Sequence, residues 1–336
     1  MKILVTGGAG FIGSHTAIEL ISKGHTPVIA DNFSNSEKWI LGRLEEISQQ
    51  EIIFYEGDCS DGNFLAEVFS REKNIAGAIH FAAKKAVGES MEKPLIYYKN
   101  NLLSLIVLLE TMQEFGVKNL VFSSSATVYG EPGSCPIPET APRQKAASPY
   151  GNTKVICEDI ISDSVFGGKN ISAISLRYFN PIGAHPSGLI GELPIGIPNN
   201  LVPYVTQAAA GIREKLTVFG NDYPTPDGSG VRDFIHVVDL AQAHIKTLEY
   251  LEKQNTPFYD VFNVGTGQGN SVLEIIQTFE KVNGVEVPYE IGPRRPGDIA
   301  TCFADPQKIE KTLGWKTEKT LEESLIDAWK WQNYLT

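Results

Sequence analysis

KILVTGGAGFIG, residues 2–13, opens with the apolar run Lys2–Val5 and passes into Gly8-Ala9-Gly10-Phe11-Ile12-Gly13. That hexapeptide has the spacing G-x-G-x-x-G, and a helical pattern over Ile12–Ser22 completes a strand–turn–helix unit. Glycines at these places permit a tight turn, let the backbone come close to a pyrophosphate, and bring the helix against the sheet. The helix N-terminus then offers free N–H groups and a positive dipole to the phosphates. The next apolar run, Thr26–Ala30, ends in Asp31. A carboxylate about twenty residues on accepts hydrogen bonds from the adenosine ribose and repels a 2′-phosphate, which favours NAD over NADP. Asp58, in Glu56-Gly57-Asp58-Cys59, is placed to cap the adenine and can equally be a turn aspartate.

The alternation continues outward from this unit. Strands are expected at Ile52–Tyr55, Gly77–Phe81, Leu120–Ser123 and Ile174–Leu176, and helices at Asn63–Ser70, Leu102–Phe115 and Lys154–Ser164. Strand–helix–strand repetition implies an α/β fold with a doubly wound parallel sheet of Rossmann type. The strands are nearly unbroken apolar runs, as befits a sheet covered on both faces. After about Asn180 the texture changes. Pro181–Pro203 is rich in Pro, Gly and Asn and reads as irregular loop, and helices recur at Val202–Ala210, Val238–Leu251, Val272–Val282 and Leu321–Tyr334. The expected organisation is a dinucleotide-binding domain, 1–180, and a smaller α/β substrate domain, 181–336, with the segment around 232–251 packing back on the first.

Composition narrows the function. The 336 residues carry 40 acidic and 29 basic side chains, a net charge of −11, which argues against a nucleic-acid partner because phosphates need a basic face. Apolar residues make up 42% and charged residues 21%, the balance of a globular protein of about two domains. Cys59, Cys135, Cys157 and Cys302 are scattered and read as reduced thiols. No apolar run is long enough to span a membrane, and glycines interrupt the apolar start before a signal core forms, so the cytoplasm is expected. The six histidines, His80 and His236 among them, lack metal-ligand spacing; no metal is expected, and those two read as structural.

Tyr150 and Lys154 stand four apart at the start of a helical stretch, in the one Y-x-x-x-K of the chain. The spacing puts both on one face, where an ammonium lowers the phenol's pKa toward general-base use. Ser123-Ser124-Ser125 follow directly on a strand, and ligands of open parallel sheets bind beyond such strand ends. Glycine fingerprint, strand-end serines and the Tyr/Lys pair, in this order, resemble the extended short-chain dehydrogenase/reductase family.

Longer stretches resemble its UDP-hexose 4-epimerase branch: VTGGAGFIGSH (5–15), HFAAKKAVGES (80–90), SSSATVYG (123–130), SPYGNTK (148–154), LRYFNPIGAHPSG (176–188), GIPNNLVPY (196–204), FGNDYPTPDGSGVRDFIHVVDLA (219–241) and RRPGD (294–298). The resemblance implies that Tyr150 removes the sugar 4-OH proton while Ser125 hydrogen-bonds the same oxygen. C4 lends its hydride to a retained NAD+, and the 4-keto sugar turns over and takes it back on the other face, so that UDP-galactose and UDP-glucose interconvert. Lys154 would hold the nicotinamide ribose.

The family pattern further implies NAD contacts at Gly7, Gly10, Phe11, Ile12 and Gly13, at Asp31, Asn32, Asn35 and Ser36, and at Asp58 and Cys59. It adds Phe81, Ala82, Lys85, Asn100 and Tyr178. Substrate contacts are implied at Asn180, Asn199, Asn200, Leu201, Phe219, Arg232, Arg295 and Asp298. Guanidinium groups suit a diphosphate, although Arg232 with Asp233, and Arg295 with Asp298, can equally be local ion pairs, and Phe219 can be core. Cys302 stands where glucose-restricted relatives carry a pocket tyrosine, which implies room for a 2-acetamido group. The helices Leu102–Phe115 and Lys154–Ser164 are those that pair in the family's homodimers. A nucleotide-sugar 4,6-dehydratase shares the fold but needs an Asp-Glu pair where this chain has Ala126 and Thr127. A non-catalytic NAD-binding regulator would have little use for Tyr150 and Lys154 together.

Overall fold

The computed structural model describes residues 1–168, 170–295 and 297–336. They form two compact units. One comprises Met1–Gly130, Pro142–Tyr178 and Ala241–Phe262; the other comprises Glu131–Ala141, Phe179–Leu240 and Asn263–Thr336.

The first unit runs β1 (Lys2–Thr6), α1 (Phe11–Ser22), β2 (Thr26–Asp31), α2 (Ile40–Ser48), β3 (Ile53–Glu56), α3 (Gly62–Arg71), β4 (Ile75–His80), α4 (Val87–Glu92), α5 (Pro94–Glu114), β5 (Asn119–Ser125), α6 (Pro149–Phe166) and β6 (Ser172–Tyr178). Strand Tyr259–Val264 joins β6, and the sheet continues β5, β4, β1, β2, β3. The five pairings among β1–β6 are parallel. The chain starts mid-sheet, builds β2 and β3 to one side, then returns to build β4 to β6 on the other. That reversal leaves a crevice site beyond the C-terminal ends of β1 and β4.

Ile3, Leu4 and Val5 of β1 are all fully buried because helices cover both faces of the sheet. Leu4, Val28, Ala78 and Leu120 share one core with Leu105, Leu108 and Met112 of α5 and Ile161 of α6. His80 lies inside the sheet with its Nδ1 2.8 Å from the Thr6 hydroxyl, and burial pushes its pKa down to about 3, so it is neutral. The seventh strand was not foreseen because Asp260 and Asn263 break its apolar run. Helices α2 and α4, also unforeseen, are only nine and six residues long.

The second unit is built from short pairings. Asn180–Ile182 runs parallel to Phe234–His236, and Leu216–Phe219 to Tyr289–Gly292. Val231–Arg232 lies between Asn270–Ser271, antiparallel, and Thr301–Cys302, parallel. Helices Leu201–Ala209, Val272–Asn283 and Leu321–Leu335 close a core around Val205, Val218, Ile275, Phe279 and Leu325. Glu131–Ala141 is tied in at Ile137, whose N–H donates to the Phe303 carbonyl (2.9 Å) and whose carbonyl accepts from Asp305 N–H (2.9 Å) and the Asn263 amide (2.7 Å).

Candidate functional site

The turn between β1 and α1 is shaped by what its glycines exclude. Gly7 sits at φ +69°, and a Cβ there would lie 2.7 Å from the Ala82 nitrogen; one at Gly13 would lie 2.7 Å from the Gly8 Cα. At Gly10 the nearest atom to such a Cβ is the Gly7 carbonyl oxygen at 3.3 Å, with open space otherwise. Gly10 is also the N-cap of α1, no side chain caps that end, and no acidic residue stands in its first turn. A close-approach backbone and an uncapped helix N-terminus suit a pyrophosphate. Asp31 fixes the ribose side. Its carboxylate accepts from Ala9 N–H (3.0 Å), Phe33 N–H (2.9 Å) and the Ser36 hydroxyl (3.3 Å). Burial raises its pKa, opposed by these bonds. These residues therefore fit a dinucleotide.

The remaining implied NAD residues differ in how they present themselves. Asn32, Asn35, Asp58 and Lys85 are exposed. Asp58 accepts from both the backbone N–H and the hydroxyl of Ser60 at 2.8 Å, so the turn role is realised in the chain. The Cys59 side chain is buried, its thiol directed to the Ala30 carbonyl at 3.9 Å. The Asn100 side chain accepts from Lys84 N–H at 3.3 Å, Phe81 packs 4.8 Å from His244, and Tyr178, at the end of β6, shares a short hydroxyl contact with Ser123.

Ser125 ends β5, and Tyr150 and Lys154 occupy the first turns of α6, which Ser148 caps through the Gly151 N–H. Ser125 hydrogen-bonds Tyr150. Lys154 Nζ donates to the Ser123 carbonyl at 2.5 Å and lies 4.9 Å from the centre of the Phe122 ring and 5.9 Å from that of Tyr150. The expected lowering of the phenol's pKa is not present in the chain alone. Burial pushes Tyr150 up to about 12, with the Ser125 bond opposing, and burial pushes Lys154 down to about 8. Desolvation is the largest cause of both shifts.

Sequence reasoning missed the clamp behind this pair. Asn101, buried in α5, accepts from Lys84 N–H (2.8 Å) and donates to the Lys84 carbonyl and the Thr153 hydroxyl, both at 3.0 Å. Thr153 in turn donates to the Tyr150 carbonyl at 2.7 Å. The second miss is Glu158, one turn beyond Lys154, which accepts from Ser124 and from Arg177 of β6. No local spacing signals either, since their partners lie up to 52 residues away.

The second unit gathers another set. Arg295 stacks on Phe219, its guanidinium carbon 3.9 Å from the ring centre. Arg232 pairs with Asp298, which is neither of the local pairings weighed as alternatives. Asp233 is instead fully buried and takes the N–H groups of Thr266 (2.8 Å), Gly267 (3.1 Å) and Ala304 (3.1 Å). Cys302 lies beside Arg232 in the pairing of Thr301–Cys302 with Val231–Arg232. Asn199 is exposed, the Asn200 amide donates to Glu192 at 2.6 Å, and Leu201 opens the helix Leu201–Ala209. Asn180 donates its N–H to the Asp233 carbonyl at 3.0 Å. Among the described residues no acidic, His or Cys cluster could hold a metal ion, and no helix is long and apolar enough to cross a membrane.

Comparison with known proteins follows the same lines. A family model described as GDP-mannose 4,6 dehydratase matches residues 4–327, which places the chain in that family. The UDP-glucose 4-epimerase of Bacillus subtilis (strain 168) is 55% identical over 333 residues, covering 99% of this chain and 97% of the relative. The chain belongs to the UDP-glucose 4-epimerase family. A crystal structure of a UDP-glucose 4-epimerase from Stenotrophomonas maltophila with bound NAD and formylated UDP-arabinopyranose superposes with a TM-score of 0.97 at 48% identity, covering 100% of this chain and 98% of that one. One from Bifidobacterium longum in complex with NAD+ and UDP gives 0.95 at 48% identity, covering 99% and 98%. The dehydratase name of the family model does not carry that chemistry here. Ala126 and Thr127, in the 3-10 turn after Ser125, hold no carboxylate, and the buried Thr127 hydroxyl has no hydrogen-bond partner among the described residues.

Proposed function

We propose that this chain is an NAD-dependent UDP-hexose 4-epimerase interconverting UDP-galactose and UDP-glucose, with the first unit holding the cofactor and the second the UDP-sugar. The observation that carries the reading is the hydrogen-bonded Ser125–Tyr150 pair with Lys154 one helical turn on, in a fold whose glycine turn fits a dinucleotide. Bound NAD+ supplies a reversible acceptor for the hydride of C4. Tyr150 takes the 4-OH proton and later returns it, while Ser125 holds the same oxygen in place. Lys154 would orient the nicotinamide ribose, and its charge stabilises the phenolate form of Tyr150 that accepts the 4-OH proton. Gly7 to Gly13, Asp31 and Ser36 seat the dinucleotide, joined by Asn32, Asn35, Asp58, Cys59, Phe81, Ala82, Lys85, Asn100 and Tyr178. In the second unit Arg232 and Arg295 meet the diphosphate, with Phe219, Asn180, Asn199, Asn200, Leu201 and Asp298 completing the nucleotide-sugar contacts.

Cys302 widens the substrate range. A thiol in place of a phenol leaves room for an N-acetyl group, so UDP-GalNAc and UDP-GlcNAc are also substrates. The protein is a homodimer through α5 and α6, whose Leu95, Ile96, Leu103, Ile106 and Phe166 are exposed. Four free thiols fit a cytoplasmic enzyme.

The test is incubation with UDP-galactose and no added NAD, followed by NMR of the anomeric protons. UDP-glucose is the expected product; a 4-keto-6-deoxy sugar, or no change even with NAD supplied, would sink the reading. With UDP-GalNAc as substrate, UDP-GlcNAc is expected. Cys302→Tyr should then abolish turnover of the acetylated sugar and keep that of UDP-galactose, whereas loss of both refutes the widened pocket.

A further inference from the structure

We propose that Cys135 and Cys302 are a paired modification site, oxidised by small-molecule disulfides to a reversible internal disulfide. Both residues belong to the second unit. The segment around Ile137 bridges Ala304 in parallel, and each cysteine stands two residues before a partner of that bridge. The Cys135 thiol donates to the Thr301 carbonyl at 3.5 Å, which places its sulfur against the peptide group leading into Cys302. The bridge holds the two segments at strand spacing, about 4.8 Å, two residues beyond the cysteines, and a disulfide spans roughly 4.4–6.8 Å between Cα atoms. The two thiols also sense each other electrostatically, since Cys135 is among the groups that raise the pKa of Cys302.

Accessibility separates this pair from the others. Cys59 and Cys157 are buried in the first unit, 4% and 1% exposed, with their thiols directed to backbone carbonyls. Cys135 and Cys302 are both partly exposed. Burial pushes the Cys302 thiol up to about 12, with Arg232 opposing, so Cys302 is not the thiol that meets the oxidant first. The Cys135 thiolate attacks one sulfur of the oxidant, forming a mixed disulfide and releasing one small thiol. The Cys302 thiolate then attacks the Cys135 sulfur, closing the internal S–S bond and releasing the second. Two cysteines are oxidised, the small disulfide is reduced to two thiols, and the two protons lost from the cysteines end on those thiols.

The bond ties segment 131–141 to the strand Thr301–Cys302, alongside Arg232. Its consequence for turnover rests on the reading of Cys302 as lining the sugar pocket. Reduced full-length protein and Cys135→Ser are incubated with oxidised glutathione, alkylated, and digested without reduction for mass spectrometry. The wild type should lose two of its four free thiols, and the Cys135 peptide should be recovered joined to the Cys302 peptide. Its UDP-galactose turnover should fall by about a hundredfold, the cost of an ångström-scale displacement in a binding site, and return with dithiothreitol. Cys135→Ser should keep its turnover throughout. Glutathione adducts without an internal bond, or equal loss of turnover in both proteins, would overturn the proposal. A joined peptide in a protein that shows no epimerisation even when reduced would uphold the thiol pair and overturn the active-site reading instead.

Discussion

Tyr150→Phe should lower UDP-galactose turnover by about 10²–10⁴-fold, the range that a positioned proton-transfer group supplies. Phenylalanine keeps the ring and its place near Lys154, 5.9 Å from the ammonium, and removes only the hydroxyl. It also removes the bond from Ser125, leaving that hydroxyl with the Thr127 N–H as its remaining contact, at 3.2 Å. The loss of one such bond costs about 1 kcal/mol of stability. Melting temperature and NAD content should therefore stay close to those of the wild type while kcat collapses and KM moves little. A variant that kept more than a tenth of its turnover would show that another group carries the proton.

The second large effect concerns stability. Glu158 is 1% and Arg177 5% exposed, and they form a fork in which Arg177 Nε and Nη2 donate at 2.8 and 2.6 Å. The Ser124 hydroxyl donates to the same carboxylate at 2.6 Å, and Arg177 Nη1 donates to the Tyr129 hydroxyl at 3.0 Å. Glu158→Ala leaves a guanidinium buried beside the tyrosine ring with no carboxylate to meet it, a loss of about 3–5 kcal/mol. Urea denaturation should show an unfolding free energy lower by that amount. The double variant Glu158→Leu, Arg177→Met should recover most of it, because replacing both charges with apolar groups removes the unpaired ion. If the single variant were as stable as the parent, the pair would be contributing nothing to the fold. The fork also holds Ser124, next to Ser125 in the strand end, so the single variant should lose turnover as well.

What could be read along the chain was what depends on near neighbours. The glycine turn announces itself because strand, glycines and helix follow within a dozen residues, and Asp31 because a short strand carries it back to the same edge. Tyr150 and Lys154 share a face by helical spacing alone. The alternative of a local pair between Arg232 and Asp233 fails for the opposite reason. Asp233 is adjacent in sequence, but alternation along a strand sends consecutive side chains to opposite faces. Asp233 turns inward to the Thr266–Gly267 turn, and Arg232 finds Asp298, 66 residues away. Asn101 was invisible for a related reason, since a buried asparagine earns its place through Lys84 and Thr153, on other segments. Burial reversed the sign expected at Tyr150, because spacing reports the neighbouring ammonium and says nothing of the water removed from around the phenol.

The interleaving of the two units bears on how the gene could be cut. The chain passes from one unit to the other five times, after Gly130, Ala141, Tyr178, Leu240 and Phe262. A fragment stopping near residue 180 would keep the glycine turn, the serines and the Tyr/Lys pair. It would nevertheless expose the flank of β6 that Tyr259–Val264 covers, leaving an unpaired sheet edge open to other chains. Modular exchange of the nucleotide-sugar half between relatives is therefore not a matter of one splice. A working chimera has to exchange Glu131–Ala141, Phe179–Leu240 and Asn263–Thr336 together, so natural shuffling of these halves by simple recombination is blocked by the path of the backbone itself.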